Sequence, residues 1–83
     1  MAMLHDTRVT VWFERDVPYG VIWAGRHYRV TDTPTRLEDE LAPLTHPLEF
    51  TGWRFQGTDD DDLARMFDVV LRDGQWSLAR VYE

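Results

Sequence analysis

The chain has 83 residues, of which 43% are hydrophobic and 13% aromatic, and it carries a formal net charge of −6. This apolar content excludes intrinsic disorder, and the length predicts one domain, residues 1–83, with a small core. Cysteine is absent and neither a secretory leader nor a run of about 18 apolar residues occurs, so we expect a cytoplasmic protein with no disulfide, no thiolate metal site and no membrane segment.

The charge is unevenly distributed along the chain. All nine basic residues are arginine; residues 1–30 hold four of them beside three acids, whereas residues 31–83 hold five beside twelve acids. An acidic body repels nucleic acid, so nucleic-acid binding would need a local basic face.

The first predicted strand covers residues 8–13. Here Val9, Val11 and Phe13 alternate with Thr10 and Trp12. A period of two predicts a strand whose two faces differ, with Trp12 on the side opposite the aliphatic residues.

The next two extended runs, residues 19–23 and 26–31, lie on either side of Ala24-Gly25. Glycine adopts the positive φ that a tight turn needs, so the sequence predicts a hairpin. A two-residue loop pairs Trp23 with Arg26, Val21 with Tyr28, and Tyr19 with Val30 on one face, and Ile22 with His27 on the other. A type II turn, or a type I turn with a glycine bulge, would shift this register by one residue.

Residues 33–44 change to helical spacing, with Leu37, Leu41 and Leu44 in phase. Thr35 and Glu38 fit a capping box, and the prolines at positions 34 and 43 limit the length, so we expect one short helix or helical turn.

Residues 47–56 return to an extended pattern. Their apolar positions change from Leu48 and Phe50 to Trp53 and Phe55 across Gly52. Such a change of phase at a glycine predicts a β-bulge.

The last predicted hairpin joins residues 66–72 and 75–82 through Asp73-Gly74, a dipeptide typical of two-residue turns. Its register pairs Leu71 with Trp76, Val69 with Leu78, and Phe67 with Arg80. Arg80 would then lay its stem along Phe67 and Tyr82. Together the elements predict a mainly β fold: a small antiparallel barrel or strongly bent sheet, SH3-like, of five or six strands.

No residue pattern indicates a metal site or a cofactor. Asp59 to Asp62 are consecutive acids without the alternating ligands and central glycine of a calcium loop, so we expect a solvated loop in which Asp62 caps a helical turn at residues 63–66. His5, His27 and His46 lack a second histidine at ligand spacing.

Catalysis has little support in the sequence. Ser77 is the only serine and has no nucleophile-elbow glycines beside it. Acids are so numerous that a pair such as Glu38 and Glu49 indicates nothing about acid–base chemistry. We therefore expect a protein that is not an enzyme.

Arginines that neighbour aromatic residues are the candidate binding residues. With those aromatics, the set is Trp23, Arg26, Tyr28, Arg29, Trp53, Arg54 and Arg80. Small barrels bind single strands by stacking bases on such rings while arginine holds phosphates. The alternative is that the rings are the core, because a domain this small needs its rings buried.

The hairpin residues carry a resemblance to known families. They are Trp23, Gly25, Arg26, Tyr28 and Val30, followed by Asp73, Gly74, Trp76, Leu78, Ala79, Arg80, Val81 and Tyr82. This pattern resembles a family of small actinobacterial β-rich proteins of unknown function, and is similar to the C-terminal region of catalytically inactive Y-family polymerase-like proteins of bacterial mutasomes. The latter resemblance implies a protein-binding module in DNA damage tolerance. The sequence of residues 37–41, Leu-Glu-Asp-Glu-Leu, departs from the tryptophan cluster of that pattern.

Two functions from different classes follow. The first is a non-enzymatic protein-interaction module, in which an edge strand such as residues 8–13 accepts a partner strand or a second copy of the chain. The alternative is a single-stranded nucleic-acid-binding barrel that uses the arginine and aromatic set, which the net charge disfavours. A barrel that binds a small molecule or a metal is a third possibility.

Overall fold

Seven antiparallel strands make up most of the residues that the computed structural model describes, which are 8–37 and 51–82. They are β1 (Thr10–Glu14), β2 (Val17–Trp23), β3 (Arg26–Val30), β4 (Thr35–Arg36), β5 (Thr51–Thr58), β6 (Ala64–Arg72) and β7 (Gln75–Tyr82). One sheet contains them in the order β1-β2-β3-β5-β6-β7, with β4 paired to β5. The sheet curves into a half-barrel, so the prediction of a mainly β, strongly bent antiparallel fold is confirmed.

The first hairpin has the predicted two-residue loop. Val21 pairs with Tyr28, Ile22 with His27 and Trp23 with Arg26. Ala24 has a φ of 54° and Gly25 a φ of 77°. Positive φ at both central residues is the signature of a type I′ turn, whose twist matches that of the two strands.

The second hairpin confirms the predicted turn but only part of the predicted register. Leu71 pairs with Trp76 and Val69 with Leu78, as expected. The predicted pairing of Phe67 with Arg80 is wrong, because the register shifts between Asp68 and Val69 and leaves Ala79 as an extra residue on β7. Arg80 therefore lies opposite Asp68, and Phe67 lies opposite Val81.

The chain from β3 to β4 bends while it stays hydrogen-bonded to β5. The Thr31 N–H donates to the carbonyl of Gln56 at 2.8 Å, and the Gln56 N–H donates to the Asp32 carboxylate at 2.8 Å. Thr35 and Arg36 then pair with Arg54 and Trp53 as β4. The rest of the predicted helical turn, from Glu38 onward, lies outside the described residues.

The bulge predicted at Gly52 is wrong. β5 pairs with β6 in unbroken register from Thr51 to Thr58. A Cβ at Gly52 would lie 2.8 Å from the carbonyl oxygen of Val69 and 2.9 Å from Cδ1 of Leu37. The glycine is thus needed for close packing, the other common reason for a glycine inside a strand. Leu48 and Phe50 lie outside the described residues.

The core lies on one face of the sheet, called here the inner face. Its buried members are Val9, Val21, Tyr28, Trp53, Phe55, Phe67 and Val69. Phe67 lies at its centre, with ring centroids of Tyr28 and Phe55 at 4.9 and 5.9 Å. The alternative that the rings form the core is therefore correct for Tyr28 and Trp53, which are 3% and 8% exposed.

The two edges of the sheet meet at one point. The Val9 N–H donates to the carbonyl of Trp76 at 3.0 Å, and Arg8 forms an isolated antiparallel bridge with Ser77. The predicted edge strand is β1, and within residues 8–37 and 51–82 the chain is joined to β7 through Arg8 and Val9, just before β1 begins. In the same part of the chain, no helix is long and apolar enough to cross a membrane.

Candidate functional site

Exposed apolar side chains are concentrated on β1 and β2. Trp12 and Phe13 are each 37% exposed, Val17 is 41% exposed and Tyr19 is 51% exposed. We call these four residues the aromatic patch. Exposed apolar side chains grouped at one edge of a small protein are typical of an interaction site, because their exposure to water has a free-energy cost that a bound partner removes.

Trp12 lies flat on the outer face of the sheet, opposite the core. It pairs with Gly20, where a Cβ would lie only 2.9 Å from Cε3 of the indole. The indole centroid is 4.8 Å from the ring of His27 and 6.2 Å from that of Tyr19. Gly20 therefore creates the space that holds the indole beside two further rings.

A shallow groove of about 500 Å³ runs beside this tryptophan. Within the described ranges it is lined by Trp12, Tyr19, His27, Arg29, Val30 and Thr31. Two exposed rings beside imidazole, guanidinium and hydroxyl groups offer both apolar contact area and hydrogen-bond donors, the usual composition of a recognition site.

The edge of β1 presents a ring on each side. The register of β1 shifts between Trp12 and Phe13. Trp12 lies on the outer face, whereas the Phe13 ring lies 5.3 Å from the Trp76 ring. The Val9 N–H points away from β2 towards Trp76. Every second residue of a strand directs its N–H and C=O to the same side, so those of Val11 also point away from β2. No described strand pairs with Val11 on that side.

Two predicted binding arginines contact the acidic loop that follows β5. Arg26 Nη1 lies 3.2 Å from Asp59 Oδ2 and 3.3 Å from Asp61 Oδ2. Arg29 Nη1 lies 3.8 Å from Asp60 Oδ1. The positive charge of these arginines is therefore offset within the chain, which weakens any attraction to phosphate.

The acidic loop is organised by Asp59, which is only 2% exposed. Its Oδ1 accepts hydrogen bonds from the backbone N–H groups of Asp61 at 2.9 Å and Leu63 at 3.0 Å. The solvated loop predicted for these acids is thus wrong at Asp59. The helical turn predicted at residues 63–66 is also wrong, because β6 begins at Ala64 and the loop is closed by Asp59 instead of Asp62.

These contacts favour the ionised form of Asp59. The hydrogen bond from the Leu63 N–H, followed by the Asp61 N–H and the charge of Arg26, lowers the pKa of Asp59, while desolvation opposes them. The carboxylates of Asp61 and Asp59 in turn raise the pKa of Arg26. Among the residues that the structure describes, no three His, Asp or Glu side chains are grouped to hold a metal ion.

Acid is expected to remove the stabilisation that Asp59 supplies. Because the pKa of Asp59 is lower in the folded chain than in the unfolded one, its contribution is complete above about pH 4 and is lost as the pH falls through the folded value. The melting temperature of the wild type should therefore decrease more on acidification than that of Asp59→Asn. Asp60→Asn, at a side chain that is 90% exposed, is the control and should follow the wild type. Parallel acid profiles for wild type and Asp59→Asn would contradict the assignment.

Arg54 lies in a partly buried polar network on the outer face of β5, β6 and β7. Its Nε and Nη2 donate to the two oxygens of Asp68 at 2.8 and 3.0 Å. Nη2 also donates to the hydroxyl of Tyr82 at 3.0 Å, and that hydroxyl donates to Asp68 Oδ2 at 2.9 Å. The guanidinium of Arg80 lies 5.4 Å from the Tyr82 ring, whereas the predicted packing of its aliphatic stem along Phe67 is wrong, because Arg80 lies opposite Asp68.

The structure does not bring the remaining candidate rings together on the surface. Tyr28 and Trp53 lie in the core, and Trp23 packs partly buried against it, with its ring 5.8 Å from that of Phe67. Trp12 and Phe13 lie in the strand that the sequence predicts as a partner-accepting edge, but neither they nor Tyr19 are among the predicted binding side chains. The alternation in residues 8–13, which places Trp12 opposite Val9 and Val11, was the signal that could have found Trp12.

Comparison with known proteins identified no relative. No protein-family model, curated protein or solved structure matches this chain. The resemblance of the two hairpins to mutasome proteins therefore stays a prediction.

Proposed function

We propose that this protein is a non-enzymatic interaction module that binds an extended segment of a partner protein along β1. The observation that carries the proposal is the exposure of Trp12, Phe13, Val17 and Tyr19 beside an edge strand. In a chain of 83 residues, where ring burial supplies much of the stability, exposed rings grouped at one edge imply that a partner covers them.

The proposed binding mode is addition of a strand to the sheet. The partner backbone hydrogen-bonds to the outward N–H and C=O of Val11 and gains affinity from them. Its alternate side chains meet Trp12 on the outer face and Phe13 on the inner face, and these contacts supply specificity. A partner with large apolar side chains at every second position fits this edge.

Contacts within the chain favour a protein partner over single-stranded nucleic acid. Arg26, Arg29 and Arg54 lie beside carboxylates, and Tyr28 and Trp53 have almost no exposed ring surface for stacking. The resemblance of the hairpins to mutasome proteins supports a partner in DNA damage tolerance, and the lack of cysteine supports a cytoplasmic location.

A peptide library selected on the purified chain tests this proposal. Peptides recovered from it are titrated into the isotope-labelled protein while amide chemical shifts are recorded. We expect peptides with alternating apolar residues, and shifts concentrated at Val11, Trp12, Phe13 and Tyr19. Trp12→Ala should weaken binding by at least tenfold, since aromatic anchors at such interfaces contribute about 2 kcal/mol or more.

Leu63→Ala is the matched control, because Leu63 is an exposed apolar residue, at 55%, outside the patch. It should leave binding unchanged. Shifts confined to other strands, or equal affinity of Trp12→Ala and wild type, would overturn the proposal. A single-stranded oligonucleotide that shifts Arg26 and Arg29 and is released by salt would establish the nucleic-acid alternative instead. Shifts at β1 that grow with protein concentration alone would identify a second copy as the partner.

A further inference from the structure

A second groove, of about 450 Å³, lies on the outer face of β6 and β7, away from the aromatic patch. The apolar part of its lining, within the described residues, is formed by Leu37, Val70, Leu71 and Ala79 and by the ring of Tyr82. Its volume and mostly apolar lining with a few polar groups are those of a small-molecule site.

Among the residues that the structure describes, the lining of this groove has more arginines than carboxylates, although the chain as a whole is acidic. Arg54, Arg72 and Arg80 line it, and the carboxylate among these described lining residues is that of Asp68. Both oxygens of this carboxylate are occupied by Arg54 and by the hydroxyl of Tyr82. In the described part of the chain, no carboxylate forms an ion pair with Arg72 or Arg80.

The β-bulge at Ala79 places Arg80 in this groove. Without the extra residue, Arg80 would lie opposite Phe67, on the inner face. With it, Arg80 lies opposite Asp68 on the outer face, and its guanidinium is held over Tyr82 at 5.4 Å from the ring centroid. The Arg54 guanidinium is at the same distance from that ring centroid. Two cations held at one ring, beside the already bonded carboxylate of Asp68, attract an anion.

We propose that this groove binds a small organic anion, a carboxylate with an apolar body. The carboxylate pairs with Arg80 and Arg72, and the apolar body lies against Val70 and Ala79. Guanidinium binds a carboxylate through parallel hydrogen bonds, and burial of the apolar body adds affinity that inorganic anions lack. This inference is independent of the peptide-binding proposal, because the two sites share no residue.

Titration of the labelled full chain with octanoate tests the inference, with octylammonium and inorganic phosphate as matched probes. Octanoate should produce saturable amide shifts at Val70, Leu71, Ala79 and Arg80, and should raise the melting temperature. Octylammonium has the same apolar body with the opposite charge and should not bind there. Phosphate has the charge without the apolar body and should bind more weakly than octanoate.

Arg80→Gln should weaken octanoate binding about tenfold, because one charge-assisted hydrogen bond is lost. Arg80 is exposed and glutamine keeps part of its aliphatic stem, so the fold should persist. Arg15→Gln, in the exposed turn between β1 and β2, is the control and should bind like the wild type. Equal binding of octanoate and octylammonium, equal affinity of Arg80→Gln and wild type, or no saturable shift at millimolar octanoate would each overturn the inference.

Discussion

Phe67→Ala is expected to leave the chain largely unfolded at room temperature. Phe67 is fully buried, and its ring contacts those of Trp23, Tyr28 and Phe55. Truncation of a buried phenylalanine costs about 3–5 kcal/mol, of which the unfilled cavity is a large part. The chain is only slightly longer than the roughly 70–80 residues below which a core rarely supplies more than about 3–5 kcal/mol of net stability, so the loss approaches the total. Circular dichroism and urea unfolding would measure it.

Gly57 explains why the cavity left by Phe67→Ala would stay open. A Cβ at Gly57 would lie 2.9 Å from Cε2 of Phe67 and 2.9 Å from Cβ of Tyr28, so the ring fills the space above a glycine that has no side chain to move inward. Phe67→Leu retains part of the volume and should lie between the wild type and Phe67→Ala. Leu63→Ala, at an exposed position, should change the unfolding midpoint little. A cooperative transition of Phe67→Ala at the wild-type midpoint would contradict the central role of this ring.

Local turn chemistry explains why both hairpins could be predicted from sequence. Asp73-Gly74 determines its turn within the dipeptide itself, whereas Ala24-Gly25 indicates a turn but leaves its type, and so the register, open by one residue. The alternating residues on either side then set the first pairs of the register. The bulge at Ala79 could not be read in the same way. The bulge moves Arg80 from a position opposite Phe67 in the core to a position opposite Asp68 on the outer face. Which position is more stable depends on the face that the rest of the sheet buries, and no local pattern indicates that face.

Long-range contacts explain why the candidate site was only partly predicted. Arg26 pairs with Asp59 and Asp61, which are more than thirty residues away in sequence, and no local pattern indicates such a pair. Gly52 was interpreted as a bulge because a glycine in a strand indicates either a bulge or a close approach, and only the position of Leu37 and the Val69 carbonyl distinguishes them. Trp12 differs, because its exposure is already contained in the alternation of β1.

Asp68→Ala is expected to destabilise the chain by about 3 kcal/mol, the lower end of the range for breaking a buried ion pair. Asp68 is 6% exposed, and the Arg54 side chain retains 29% exposure, which moderates the cost. The substitution removes the acceptor of two Arg54 N–H groups and of the Tyr82 hydroxyl. Urea unfolding of the single variant would show the loss as a lower midpoint with an unchanged slope.

A double variant separates the value of the ion pair from the cost of breaking it. Replacing both partners with apolar residues, Arg54→Met with Asp68→Leu, should recover most of the stability that Asp68→Ala loses. In the double variant the guanidinium that has lost the Asp68 carboxylate is removed as well. Asp60→Ala, which removes the exposed pair with Arg29, should have no measurable effect. If the double variant is no more stable than Asp68→Ala, the pair itself stabilises the fold. If Asp68→Ala has the same urea midpoint as the wild type, the network around Tyr82 does not hold β5, β6 and β7 together. The side chains that line the anion groove would then not be fixed by this network.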